Sequence, residues 1–145
     1  MENLEDFQKK FKIDQLKIYE SDFWLWTLRP YQATVGAGIL SLKRNCATFA
    51  ELTQEEFADL GAIIKVIEST LKGIFDYDVI SYLMLMMLDK QVHFHVIPRY
   101  EKDVEFIGYT WKDSSWPGAP NLAGEAHDMD VLLELTLNIK KNLVV

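Results

Sequence analysis

From Gln91 to Tyr100 the chain alternates polar and apolar residues: Gln91, His93 and His95 fall on one side of an extended backbone, and Val92, Phe94 and Val96 on the other. This period of two predicts a strand from Gln91 to Pro98 with one chemical face and one core face. The stretch before it, Asp78 to Met87, is mostly apolar and reads as a largely buried partner strand, with Asp89-Lys90 as a tight turn between the two. Upstream, Leu16 to Glu20 and Phe23 to Arg29 read as strands on either side of a Ser21-Asp22 turn. Pro30 ends the pairing, and extended structure resumes from about Val35 to Leu42, which predicts a hairpin from Trp24 to Leu42. Gly36 and Gly38 mark a bulge or a close backbone approach there.

Helical periods fill the remainder. Leu4, Phe7 and Phe11 recur among charged residues, so Asn3 to about Lys12 reads as a short amphipathic helix laid on the core. Thr53 and Glu56 form a capping box and Leu52 is placed to staple against Phe57, opening a long helix whose apolar stripe runs through Phe57, Leu60, Ile64, Ile67 and Leu71. Gly73 is its natural stop. Beyond Arg99 the chain reads as irregular, with Trp111 to Pro120 folded over a surface, before a last amphipathic helix from Asp128 to Lys141. Strands grouped in hairpins, with helices between and after them, predict a single α+β domain over residues 1–145 with a mainly antiparallel sheet.

Composition narrows the partners. With 145 residues, 49% hydrophobic and 26% charged, the chain is long enough for one substantial core. A net charge of -7 opposes nonspecific binding to nucleic acid or to an anionic membrane, while leaving room for a local basic pocket around a small anion. Cys46 is the single cysteine, so no internal disulfide forms. The first residues lack the pattern of a signal peptide and no apolar run is long enough to span a bilayer, which together predict a cytoplasmic protein.

The strongest chemical signal is the pair His93 and His95, whose side chains at alternate strand positions start roughly 5.5 to 7 Å apart, near enough to act on one substrate or one metal ion. A Zn²⁺ site would require a third ligand, for which His127 or an acidic residue is the candidate. The bland alternative is two histidines on a half-exposed strand with ordinary hydrogen bonds. Arg99, Lys43 and Arg44 are candidate phosphate contacts, set against ordinary solvated charge; Ser81 and Asn45 are polar candidates near the same place. Trp111 and Trp116 read as packing residues more readily than as a stacking platform for a base.

His93-Phe94-His95-Val96-Ile97-Pro98-Arg99 resembles the motif of the histidine-triad superfamily, His-x-His-x-His followed by apolar residues and often Pro-Arg. The resemblance extends from about Trp24 to Tyr100, through Arg29-Pro30-Tyr31-Gln32-Ala33, Gly38 to Arg44, and Leu52-Thr53 with Glu55 and Glu56. It implies a five-stranded antiparallel sheet with a long central helix and a C-terminal helix, frequently dimeric, that binds a small-molecule nucleotide and hydrolyses or transfers nucleotidyl groups. By this resemblance His93 is the nucleophile that attacks an α-phosphorus, and His95 is the donor to the phosphate or leaving group. Gln91 stands where the first histidine of the motif is expected and orders the site without titrating. No cofactor is required, although a polyphosphate substrate would arrive as its Mg²⁺ complex. Two further departures stand out: Asn45 replaces a histidine, and the Gly-rich segment before the triad is missing. They leave open a nucleotide-binding module with weak or no catalysis, and, from the histidine pair alone, a small Zn-dependent hydrolase.

Overall fold

The computed structural model describes residues 3–145. Helix α1 (Leu4–Lys10) opens on Asn3, whose side chain accepts from the Asp6 N–H while Asp6 reaches back to the Asn3 N–H, a reciprocal cap. After a short turn of helix, α2 (Ile13–Leu16), the chain enters β1 (Lys17–Glu20), β2 (Trp24–Leu28) and β3 (Gly38–Leu42). Helix α3 (Gln54–Phe75) then crosses to β4 (Val79–Leu83) and β5 (His93–Arg99). The five strands form one antiparallel sheet in the order β1-β2-β3-β5-β4, so the histidine strand lies inside the sheet and β4 lies on its edge. Strands β6 (Val104–Phe106) and β7 (Tyr109–Trp111) form a separate hairpin, and α4 (Met129–Lys141) closes the fold.

Strand alternation gives the sheet two faces. Trp24, Trp26 and Leu28 share one with Leu40, Leu42 and Val96, and α3 and α4 cover it, contributing Ile63, Ile67, Leu71, Leu132, Leu135 and Ile139 to the main core. Trp24 anchors the start of α3 by donating its Nε1–H to the Glu56 carbonyl at 2.9 Å. Gly38 is required here by proximity, since a Cβ would come 2.8 Å from the Thr27 carbonyl oxygen and 2.9 Å from Trp26 Nε1.

Several elements differ from the sequence expectation. The long helix starts as expected, with Thr53 and Glu56 capping each other, but it runs past Gly73 to Phe75 and stops at Asp76, which takes the left-handed conformation at φ 49°. Its buried face is Ile63, Ile67, Thr70, Leu71 and Phe75; Phe57 is exposed and packs on Phe49 instead. The expected strand from Asp78 to Met87 is only β4, half-exposed because it is the sheet edge. The chain then leaves the sheet from Met84 to Val92, with Met86 at φ 56°, where a tight Asp89-Lys90 turn was expected. Gln91 and Val92 precede β5, and Val92 bonds to the extension of β3 at Leu42 and Cys46. The stretch after Arg99, expected to be irregular, contains the β6–β7 hairpin, turned by Ile107 and Gly108, both at positive φ, and packed through Phe106 on Phe75.

Candidate functional site

The second face of the sheet carries the histidines. Thr27 pairs with Ile39, Ile39 with His95, and Ser41 with His93, so these side chains emerge together. Carrying the period of two along β2 from Leu25 through Thr27 brings Arg29, one residue past the strand, to this face as well. This chemical face is not half-exposed: α1 lies across it. Phe7, Phe11, Ile13, Leu25 and Ile39 form a second apolar cluster, and the Phe7 ring sits 4.9 Å from the His93 ring. Phe11 lies 6.1 Å from His93 and 6.3 Å from His95. His93 and His95 are consequently 2% and 7% exposed, with their rings 5.1 Å apart and edge to face.

Hydrogen bonding assigns each imidazole a tautomer. His93 Nδ1 lies 2.5 Å from the Gln91 carbonyl oxygen, which can only accept, so Nδ1 carries the proton and, in the neutral ring, Nε2 keeps its lone pair. His95 is reversed: Arg29 Nε–H donates to His95 Nδ1 at 3.2 Å, which leaves the ring proton on Nε2. Burial pushes His93 below its ordinary value, and burial with the nearby Arg29 and His93 lowers His95 to about 4. Both shifts favour the neutral ring. A nucleophilic nitrogen and a hydrogen-bond donor thus sit side by side, each oriented by its second nitrogen.

Both rings open onto a cavity of about 320 Å³. Its apolar wall comes from Phe11 and from Leu85 to Leu88 in the segment after β4; its polar lining is Lys10, Arg29, Asp89 and the two histidines. Lys10 pairs with the buried Asp89 at 2.7 Å, tying α1 to that segment. Arg29, 8% exposed, bonds His95, the Tyr31 carbonyl at 3.0 Å and the Leu122 carbonyl at 2.8 Å. Arg29 is the residue the sequence reading missed, and the alternation Leu25, Thr27, Arg29 was the signal that pointed to it.

Of the residues expected at the site, His93 and His95 line this cavity; Gln91, Arg99, Lys43, Asn45 and Ser81 do not. The Gln91 amide instead binds the β3 extension, accepting from the Cys46 N–H at 3.0 Å and donating to the Leu42 and Arg44 carbonyls at 2.9 and 2.7 Å. Its main-chain carbonyl is what orients His93. Arg99 forms a buried two-pronged pair with Asp113 at 2.7 and 3.1 Å and also bonds Ser115 and Gly118. Lys43 pairs with Glu20 at 2.8 Å, Arg44 pairs with Glu56, Asn45 is exposed, and Ser81 sits on the edge strand opposite Ile97. His127 is held elsewhere, its Nδ1 accepting from the Gln32 N–H and its ring stacked on Tyr31. Among the described residues no three His, Cys, Asp or Glu side chains come together as a metal site, so the zinc reading lacks its third ligand. Trp111 bonds the Phe106 carbonyl and packs on His127, and Trp116 does not line the cavity.

The fold is that of the histidine-triad proteins. A histidine-triad protein from Sinorhizobium meliloti superposes with a TM-score of 0.72 at 22% identity, covering 93% of this chain and 94% of its own. A Hit-like protein from Bartonella henselae, described as involved in cell-cycle regulation, matches with a TM-score of 0.70 at 18% identity over 97% and 96% of the two chains. The diadenosine triphosphate hydrolase of Plasmodium falciparum matches with a TM-score of 0.65 at 13% identity, over 88% of this chain and 75% of the hydrolase. No protein-family model matches the chain, and no curated protein does. Among the described residues no helix is long and apolar enough to cross a membrane.

Proposed function

We propose that this protein is a nucleotide hydrolase or nucleotidyl transferase that works through a nucleotidyl-histidine intermediate. The observation that carries this reading is the pair of complementary tautomers, an Nε2 lone pair on His93 beside an Nε2–H on His95, at one cavity. His93 Nε2 attacks the α-phosphorus, forming a P–N bond as the P–O bond to the leaving group breaks. A phosphate leaving group departs as an anion and needs no proton. His95 Nε2–H donates to the phosphoryl or bridging oxygen as charge develops there, and the Gln91 carbonyl together with nearby Asp89 stabilises the cationic ring of the intermediate. Water or another acceptor then attacks phosphorus, the P–N bond breaks, the acceptor's proton passes to solvent, and His93 is regenerated. The Plasmodium hydrolase of the same fold supports a phosphoanhydride as one substrate class.

The reading extends to a cytoplasmic homodimer that takes a polyphosphate substrate as its Mg²⁺ complex, with the edge strand β4 and the exposed Leu85, Met87 and Leu88 as the surface for a second copy. A second function, nucleotide binding with little turnover, is favoured by one observation: Phe7 and Phe11 cover both histidines. A pulse of labelled nucleotide followed by mass analysis separates the two. A nucleotidyl adduct on the peptide containing His93, absent from His93→Ala, is expected; calorimetric binding of AMP or a dinucleoside polyphosphate with neither adduct nor turnover would establish the binding module instead.

A further inference from the structure

We propose that Arg29 is the residue that receives the anionic group of the ligand, a phosphate in the reading above, as the cationic half of an ion pair that the ligand completes. The inference takes the identity of the anion from that reading, whereas the anion site itself rests on the following geometry.

Arg29 is more than nine-tenths buried, and among the described residues no carboxylate pairs with it. A guanidinium stays protonated even where burial lowers its pKa, as it does here, so the site holds a desolvated positive charge. Such a charge is costly unless something compensates it. The partners present are all neutral: His95 Nδ1, the Tyr31 and Leu122 carbonyls, and the Tyr31 ring 5.7 Å from the guanidinium carbon. These occupy three of the five N–H donors of an arginine, leaving one on each terminal nitrogen. Because Asp89 already neutralises Lys10, the charged groups lining the cavity leave Arg29 as the unmatched cation there, within a chain of net charge -7.

The position is also preorganised. The Arg29 N–H donates to the Ala37 carbonyl at 2.9 Å, and the Gln32 amide donates to the Arg29 carbonyl at 2.7 Å. The same guanidinium orients His95, and the two line one cavity. Arg99 shows what a buried arginine with a protein partner looks like in this fold, engaging Asp113 through two parallel bonds. The ligand would complete for Arg29 what Asp113 completes for Arg99.

The test follows the Arg29 Nε–Hε signal of the full chain by NMR, assigned by its loss in Arg29→Lys, during titration with inorganic phosphate, AMP and adenosine. Calorimetry runs in parallel on wild type, Arg29→Lys and Arg29→Gln. Phosphate and AMP are expected to move the signal while adenosine leaves it in place, and Arg29→Gln is expected to weaken AMP by about 10- to 100-fold, as for loss of charge-assisted hydrogen bonds. Phosphate binding that depends on Arg29, with no binding of AMP, would uphold the anion site and remove the nucleotide. AMP binding that neither moves the signal nor weakens in Arg29→Gln would overturn the role of Arg29, as would a wild-type protein in which neither anion moves the signal. The wild-type titration decides the matter even if Arg29→Gln fails to fold.

Discussion

Arg99, at the C-terminal end of β5, lies 5% exposed against the Asp113 carboxylate; Arg29, just past β2 and level with Ile97 of β5, lies 8% exposed against an imidazole and two carbonyls. The two arginines are similarly buried on the same face, and they differ in whether the protein supplies the counter-charge. Where it does, the arginine fastens the segment after β7 to the sheet and its donors are occupied. Where it does not, the arginine borders a cavity that holds both histidines and keeps free donors. Similar burial thus serves structure at Arg99 and, in our reading, ligand capture at Arg29.

The largest effect belongs to the histidine pair. His93→Ala should lower nucleotide turnover by about 10⁴-fold and His95→Ala by about 10²-fold, measured as kcat on a dinucleoside polyphosphate, with cooperative folding retained in both. Turnover unchanged in His93→Ala would end the covalent mechanism. The arginine comparison is tested next by stability. Arg99→Met strands Asp113 as a buried unpaired charge and should cost about 3 to 5 kcal/mol in urea unfolding, whereas Arg29→Met removes an uncompensated charge and should cost no more than about 2. Equal losses would mean that both arginines are structural.

Acid should also reach the two arginine sites in sequence. His95 is held at about 4 by burial first and by Arg29 and His93 next, against about 6.5 when unfolded. The unfolded chain therefore binds a proton that the folded one refuses, and stability present above pH 6.5 falls by roughly 2 to 3 kcal/mol as the pH drops toward 4. For Asp113, burial would raise the pKa, but hydrogen bonds from Arg99 and the Tyr100 N–H keep it below the ordinary value. Its contribution is complete above the unfolded value of about 3.9 and disappears only as the pH falls below that. Unfolding free energies measured from pH 8 to 3 should show a larger first loss in wild type than in His95→Gln, which keeps the contribution of the buried His93; a flat profile in wild type down to pH 4 would contradict the assignment. The smallest effect is expected at Lys43, whose partially exposed pair with Glu20 makes Lys43→Ala a change of about 0.5 kcal/mol or less, with AMP affinity unaltered. A loss of AMP affinity in Lys43→Ala matching that in Arg29→Gln would move the anion site away from Arg29.

Much of the fold was legible because local rules apply to it directly. The capping pair Thr53 and Glu56, the alternation around His93 and His95, and the charges flanking α4 each specify an element within a few residues. The element ends were less legible. Asp76 ends α3 where Gly73 was expected, and Met84 to Val92 leave the sheet, because edge position and contacts with distant segments decide both. The β6–β7 hairpin is held on Phe75, a partner remote in sequence.

By itself, the sequence determined that His93 and His95 share a face, that this face belongs to an α+β sheet, and that one strand carries the reactive pair, since a period of two needs nothing beyond the strand. Tertiary structure decided which nitrogen of His95 carries the proton, because the Arg29 guanidinium comes from 66 residues away, whereas the Gln91 carbonyl that orients His93 is only two residues distant. It also decided which arginine is matched. Arg99 and Asp113 lie 14 residues apart and Arg29 and His95 lie 66 apart, and only the folded chain brings a carboxylate to one and a histidine to the other. Charge compensation depends on distances of a few ångströms in a region of low dielectric constant, and residue spacing along the chain does not encode those distances.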